Sequence, residues 1–215
     1  MGKASQGVFG FWRGKVGNVV GRVRQGQNVY SIYQPSVANP RTPAQLTGRS
    51  KFTLISQFIS AVLGFIRVGF AGLDGYVRGS AFSSAVGLNL KTEGITTGVY
   101  PNLQLDYSKM KVSDGKIDLP FNPSGSAEGN TLSLTWADNS GRGDALATDK
   151  VIVLAYDSTT NESVFDLTVA DRSARTGTVT LPTQWSGDSV EVWMAMQRPT
   201  TKDVSDSAYL GSFTL

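Results

Sequence analysis

The stretch TLSLTWADNSGRGDALATDKVIVLAYD, residues 131–157, decides the fold class. Leu132, Leu134 and Trp136 alternate with Ser133 and Thr135, the period of a strand with one buried face. Residues 138–149 are rich in Asp, Gly and Ala and read as a loop. Lys150–Tyr156 is a second strand, with Val151, Val153 and Ala155 on the inner face.

The same pattern recurs toward the end of the chain. Strands are expected at 131–136, 150–156, 163–168, 177–181, 189–197 and 209–215, with Gly, Asp, Asn and Pro between them. Short strands at this spacing, with Trp136 early, predict an Ig-like or fibronectin-like β-sandwich over residues 131–215. The chain has no Cys, so no disulfide pins it.

Upstream, LPFNPSGSAEGN at 119–130 reads as a linker. Residues 44–118 read as a helical and mixed region. Thr42 suits an N-cap and Pro43 a first helical position. Leu46, Phe52, Ile55, Ile59, Val62, Ile66 and Phe70 follow near helical spacing. Gly64 and Gly69 are candidate kinks, and a second helix is expected near 79–90. LQLDYSKMKVS at 103–113 alternates as a strand does, and Asp114-Gly115 is a tight-turn dipeptide. The whole is α+β and mainly β.

Residues 1–43 are a basic, glycine-rich arm. Gly7 to Gln27 holds six glycines and four cations. Read as a helix, each glycine costs about 1 kcal/mol relative to alanine. VVGRVR (19–24) and NVYSIY (28–33) instead predict a hairpin across Gln25-Gly26-Gln27. The charge is uneven along the chain. Residues 1–73 carry nine cations and no acid, whereas 125–215 carry six cations against twelve acids. Such asymmetry suggests a polyanion or an acidic surface near the basic part; the other reading is a basic face that meets the chain's own acidic half.

Candidate partner-binding residues are Arg13, Lys15, Arg22, Arg24, Arg41, Arg49 and Lys51. The first four are interleaved with Phe11, Trp12, Tyr30 and Tyr33, which admits phosphate neutralisation with base stacking. The alternative is docking on an acidic protein surface. Arg49 and Lys51 fall in early helical turns, where cations oppose the helix dipole.

Other chemistries find little footing. Without Cys or His there is no thiolate nucleophile, no Ser-His-Asp triad and no Cys/His zinc site. No phosphate loop with Lys-Ser or Lys-Thr appears. Asp138, Asp144, Asp149, Asp157, Asp166 and Asp171 fall at strand ends and loops, as in any sandwich. DNSGRGD (138–144) lacks the third carboxylate of a calcium loop and reads as a solvated hairpin loop. Its Arg142-Gly143-Asp144 spells an adhesion tripeptide that chance supplies easily. The apolar run 52–66 is shorter than the roughly 20 residues of a membrane span. Met1 is followed by no apolar signal region. No enzyme activity, metal or cofactor is expected.

The chain resembles a family without assigned function, found in Bacteroidota and phage-related sequences. The likeness lies in Gly14 to Val20, Asn39-Pro40-Arg41-Thr42, Gln45, Arg49 and Lys51-Phe52. It continues through Leu132, Leu134, Trp136, the strand 150–156 after Asp149, Arg172, Leu181-Pro182 and Ser205 to Gly211. The resemblance carries no activity, but implies a phage or phage-like component. The expectation is a non-enzymatic virion structural protein, made in the host cytoplasm, anchored by its basic region and projecting an acidic Ig-like domain. Its partners would be other virion proteins or itself, with packaged nucleic acid the alternative for the basic half. A surface adhesion module is a further alternative.

Overall fold

Val19–Arg24 and Gln27–Ile32 pair as the expected hairpin, with Arg24 opposite Gln27. A second hairpin precedes it. Trp12–Val16 pairs with Val19–Arg24 across the two-residue turn Gly17-Asn18, where Gly17 has φ 57°. This is the computed structural model of the chain, which describes residues 3–4, 12–24, 26–36, 39, 41–71 and 80–215. With Lys3–Ala4 as β1, the sheet order is β1-β2-β3-β4, where β2 is 12–16, β3 is 19–24 and β4 is 27–32. The glycine-rich arm is therefore a small antiparallel sheet. Phe11 lies outside the described residues. One glycine has a clear reason: a Cβ on Gly21 would strike the Trp12 backbone and indole. The Trp12 ring covers that glycine and reaches Tyr30, 4.4 Å away between ring centroids. These elements lie in one compact unit, Met1–Thr42; Pro43–Leu215 is another.

The second unit begins with helix α1, Pro43–Ala61, at the proline that the sequence marks as a first position. Helix α2, Leu63–Gly69, follows at 86° to α1. Ser80 caps α3, Ala81–Lys91, its hydroxyl accepting from the Ser83 amide at 3.3 Å. Ile55, Phe58 and Ile59 of α1, Phe65 and Ile66 of α2, and Ala85 and Val86 of α3 are buried. No single helix among the described residues is long and apolar enough to cross a membrane; the bent pair α1 and α2 meets the length and composition together.

Residues 103–113 depart from the expected strand. Only Gln104–Leu105 (β6) pairs, with Thr96–Thr97 (β5). Asp106 then accepts from the Ser108 amide at 3.2 Å and from its hydroxyl at 2.5 Å, turning Tyr107–Lys109 into a 3-10 turn. A local side-chain bond here outcompetes the ladder. The expected linker at 119–130 is also a strand. Phe121–Glu128 (β7) pairs with Thr131–Ala137 (β8), and half-buried Pro123, Gly125 and Ala127 alternate with exposed positions along it. Small residues let a strand pass for a linker.

The remaining strands are β9 (Lys150–Asp157), β10 (Glu162–Asp171), β11 (Thr176–Thr180), β12 (Ser189–Gln197) and β13 (Ala208–Thr214). They make one sheet of order β10-β9-β12-β13 and another of order β11-β8-β7, all antiparallel. Leu132, Leu134 and Trp136 meet Val151, Val153 and Ala155 of β9 and Val190, Val192, Met194 and Met196 of β12. The opposite face of that larger sheet is equally apolar. Ile152, Leu154 and Tyr156 of β9, with Trp193 and Ala195 of β12, pack against the three helices. Thus β9 and β12 are buried on both faces, in a layer between the helices and the smaller sheet. A near-continuous apolar run such as Val151–Tyr156 is what a doubly covered strand needs. The unit is mixed α/β, with helices and antiparallel sheets sharing two core clusters.

Candidate functional site

The first site is a face of the N-terminal sheet. Side chains alternate across a strand, and residues directly opposite share a face. The register sets Lys15 opposite Val20 and Val20 opposite Ser31, while Arg22 lies opposite Val29 and Arg24 opposite Gln27. Arg13, Lys15, Arg22 and Arg24 therefore all fall on one face. The Arg22 guanidinium donates to the Ser31 hydroxyl at 3.2 Å, and the Lys15 ammonium sits 3.4 Å from the Tyr33 ring centroid. The other face carries Trp12, Val16, Val19, Val23, Tyr30 and Ile32. Ile32 is 79 % exposed and Val16 52 %.

This separation corrects one expectation. Trp12 and Tyr30 lie across the sheet from the cations and contact each other, so they cannot stack bases held by those cations. Tyr33 is on the cationic face, but under Lys15. The signal was present in the sequence: a two-residue turn at 17 and 18 sets odd positions of one strand opposite even positions of the next, which puts 13 and 15 on the same face as 22 and 24.

The other three sequence candidates lie elsewhere. Arg41 is exposed, with φ 45°. Lys51 donates to the carbonyl of Leu90 at 2.8 Å, tying α1 to the last turn of α3. Arg49 lies on the outer side of α1, where Gln45, Gly48, Phe52 and Thr53 line an open groove with it. A further groove of about 540 Å³ runs on past Phe52, Thr53, Ser56 and Ser60 to Asn161.

Many acids of the C-terminal half turn inward, pair with a cation or close their own loops. Arg172 and Asp149 are fully buried and paired at 3.0 Å. Arg172 also donates to Asn139 Oδ1 (2.6 Å) and to the carbonyls of Asp118 (2.8 Å) and Leu146 (3.2 Å). Arg198 bridges Asp149 to Asp144, at 3.2 Å from each carboxylate. The 138–144 loop is thus clasped rather than merely solvated, and the aspartate of its Arg-Gly-Asp is held by Arg198. Asp138, Asp157 and Asp166 each accept from the amide two residues on, at 2.7–2.9 Å. Asp171 pairs with Lys150 at 2.5 Å, and Asp206 with Lys111 at 3.3 Å. For Asp157, burial raises the carboxyl, but bonds from Thr160 and Thr159 outweigh it and hold the group below its ordinary range. Among the described residues no group of three or more acids forms a metal cage.

Two buried polar links tie the helices to the segment 111–113, and the second continues to β12. Asn89 donates to the Ala85 and Lys111 carbonyls and accepts from the Lys111 amide, at 2.8–2.9 Å. Ser113 donates to the carbonyls of Gly69 (3.0 Å) and Ser205 (2.5 Å). Ser205 in turn accepts from the Met196 amide at 2.8 Å. Beside them, Phe58, Tyr107, Tyr156, Trp193 and Tyr209 form an aromatic group, with Tyr209 donating to the buried Glu191 carboxylate. Burial first, then that carboxylate, pushes the Tyr209 phenol up. These residues hold the layers together. The motif Ser205 to Tyr209, which helps carry the resemblance, serves this purpose.

No curated protein matches the chain. A family model does match, over residues 10–211, which takes in strands β2–β4 of the cationic sheet and all three layers of the larger unit. The chain belongs to this family of unknown function, DUF6266.

Proposed function

We propose that the protein is a non-enzymatic structural component of a larger assembly, anchored by its N-terminal sheet. One observation carries the reading. Among the described residues that unit is a single sheet layer, whose apolar face leaves Ile32 79 %, Val16 52 % and Tyr30 44 % exposed. A sheet with one apolar face needs a second layer to bury it. A neighbouring molecule supplies that layer when the chain assembles. The resemblance to phage-related sequences extends the proposal to a phage-type particle, so the protein's place is the virion.

The second unit is the presented part. Its seven C-terminal strands, counted in order, pair 5-2-1 in one sheet and 4-3-6-7 in the other. That order supports an Ig- or fibronectin-like sandwich with a helical layer added to one sheet. The test is quantitative mass spectrometry of particles carrying either the wild-type chain or Ile32→Asp. A fixed copy number that falls at least tenfold for Ile32→Asp is expected. Absence of the wild-type chain from particles overturns the proposal.

A further inference from the structure

We infer that the cationic face of the N-terminal sheet takes the sugar–phosphate backbone of double-stranded nucleic acid, without reading its sequence. The inference rests on the reading of this sheet as the docking element and assigns the partner of its second face. Three observations carry it.

The first is the arrangement of charge. Arg13, Lys15, Arg22 and Arg24 share a face of three short strands, and the unit contains no Asp or Glu at all. Like charges gathered on one sheet face repel one another. A dense polyanion removes that repulsion and gains entropy by shedding its condensed counterions. The face has one sign only, so its partner is anionic over the whole of it.

The second concerns the rival receptor, the chain's own acidic half in another copy. Seven of its twelve carboxylates are engaged where they stand. Asp149 is buried with Arg172; Asp144, Asp171 and Asp206 hold Arg198, Lys150 and Lys111; Asp138, Asp157 and Asp166 close turns. These seven acids are already committed to partners within the larger unit, so a second copy offers fewer open carboxylates than its count suggests.

The third is the position of the aromatic rings. Single strands are gripped by stacking unpaired bases on aromatic faces. Trp12 and Tyr30 occupy the opposite face, and Tyr33 carries the Lys15 ammonium. What remains is a cationic surface with hydrogen-bond donors, suited to phosphates rather than bases.

The experiment is a fluorescence-anisotropy titration of the full chain with a labelled 20-base-pair duplex of mixed sequence, at salt from 50 to 400 mM. Four phosphate contacts give a slope of about −3 to −4 in log K against log salt, so affinity falls about a hundredfold between 50 and 200 mM. A second duplex sequence binds equally, and the single strand binds more weakly. Arg22→Gln with Arg24→Gln reduces the magnitude of the slope by about two, whereas Arg22→Lys with Arg24→Lys restores it. Absence of duplex binding at 50 mM salt, or a slope unchanged by the glutamine pair, overturns the inference. Tighter binding to single strand or to polyglutamate than to duplex overturns it as well. Ile32→Asp, on the other face, leaves the titration unchanged. A wild-type chain that is incorporated into particles but does not bind duplex sinks this inference alone; a wild-type chain that binds duplex but is absent from particles sinks only the anchoring proposal.

Discussion

Arg172 shows how much one side chain can organise. Its guanidinium is fully buried and its partners come from the segments around residues 118, 139, 146 and 149. Arg172→Met leaves Asp149 without its closest countercharge inside the protein, and is expected to cost about 3–5 kcal/mol in a urea unfolding titration. A wild-type midpoint in that variant would show that Arg198 alone suffices. Asp114 works in the opposite sense. Burial, and then the neighbouring Asp206 carboxylate, hold its carboxyl above the ordinary 3.8. A raised folded value means that the folded protein keeps a proton the unfolded chain has released. Ionising Asp114 therefore opposes folding at neutral pH, and acid relieves the opposition. Asp114→Asn is expected to raise Tm at pH 7, with the gain vanishing near pH 3, where both states are protonated; a gain that persists in acid would contradict this cause. Neither role was legible beforehand. Arg172 stood out only as a point of resemblance and Asp149 also as one of several strand-end acids, because their pairing joins segments 23 residues apart through a buried contact that local pattern does not encode.

At the scale of the element, glycines divide by what surrounds them. Gly69, the last residue of α2, lies against the Val112 carbonyl and Ser113, and backbone there cannot yield to a Cβ. Gly69→Ala is expected to cost about 1–3 kcal/mol through overpacking. Gly87, inside α3, has open space where its Cβ would be. Gly87→Ala is expected to gain about 0.5–1 kcal/mol, the helix propensity difference. Thermal unfolding of the two variants checks the opposite signs. The sequence marked Gly64 and Gly69 as kinks, yet the 86° turn falls between Ala61 and Leu63. Gly64 answers to Phe165, whose ring would lie 2.7 Å from a Cβ there. Helical spacing and strand alternation are local, and so α1 and the strands from 131 onward were readable. The strand β7, built of Pro, Gly, Ser and Ala, was not, because its side chains are too small to show a period. The cationic face stood between these cases: its residues were identified, but their common side depended on recognising Gly17-Asn18 as a turn.

For the whole molecule, the doubly buried sheet sets the boundary of what folds. A chain starting at residue 119 would bare Ile152, Leu154, Tyr156, Trp193 and Ala195, which the helices cover. It is expected to bind a hydrophobic dye and unfold without a sharp transition, whereas residues 43–215 melt cooperatively; a sharp transition in the shorter chain would show that the helical layer is dispensable. The strands were legible in outline, but their dependence on the helices was not, since nothing in an alternating pattern says what lies above the second face. The chain's four tryptophans are distributed in a way that has an optical consequence. Trp136, Trp185 and Trp193 are sealed inside the larger unit, and only Trp12, half-buried beside Tyr30, belongs to the sheet. Excited at the red edge, the native protein thus carries one responsive emitter among three quiet ones. A partner that covers the apolar face shifts Trp12 emission to the blue; a polyanion on the reverse face leaves its wavelength where it was. The protein is its own indicator of which side has been taken.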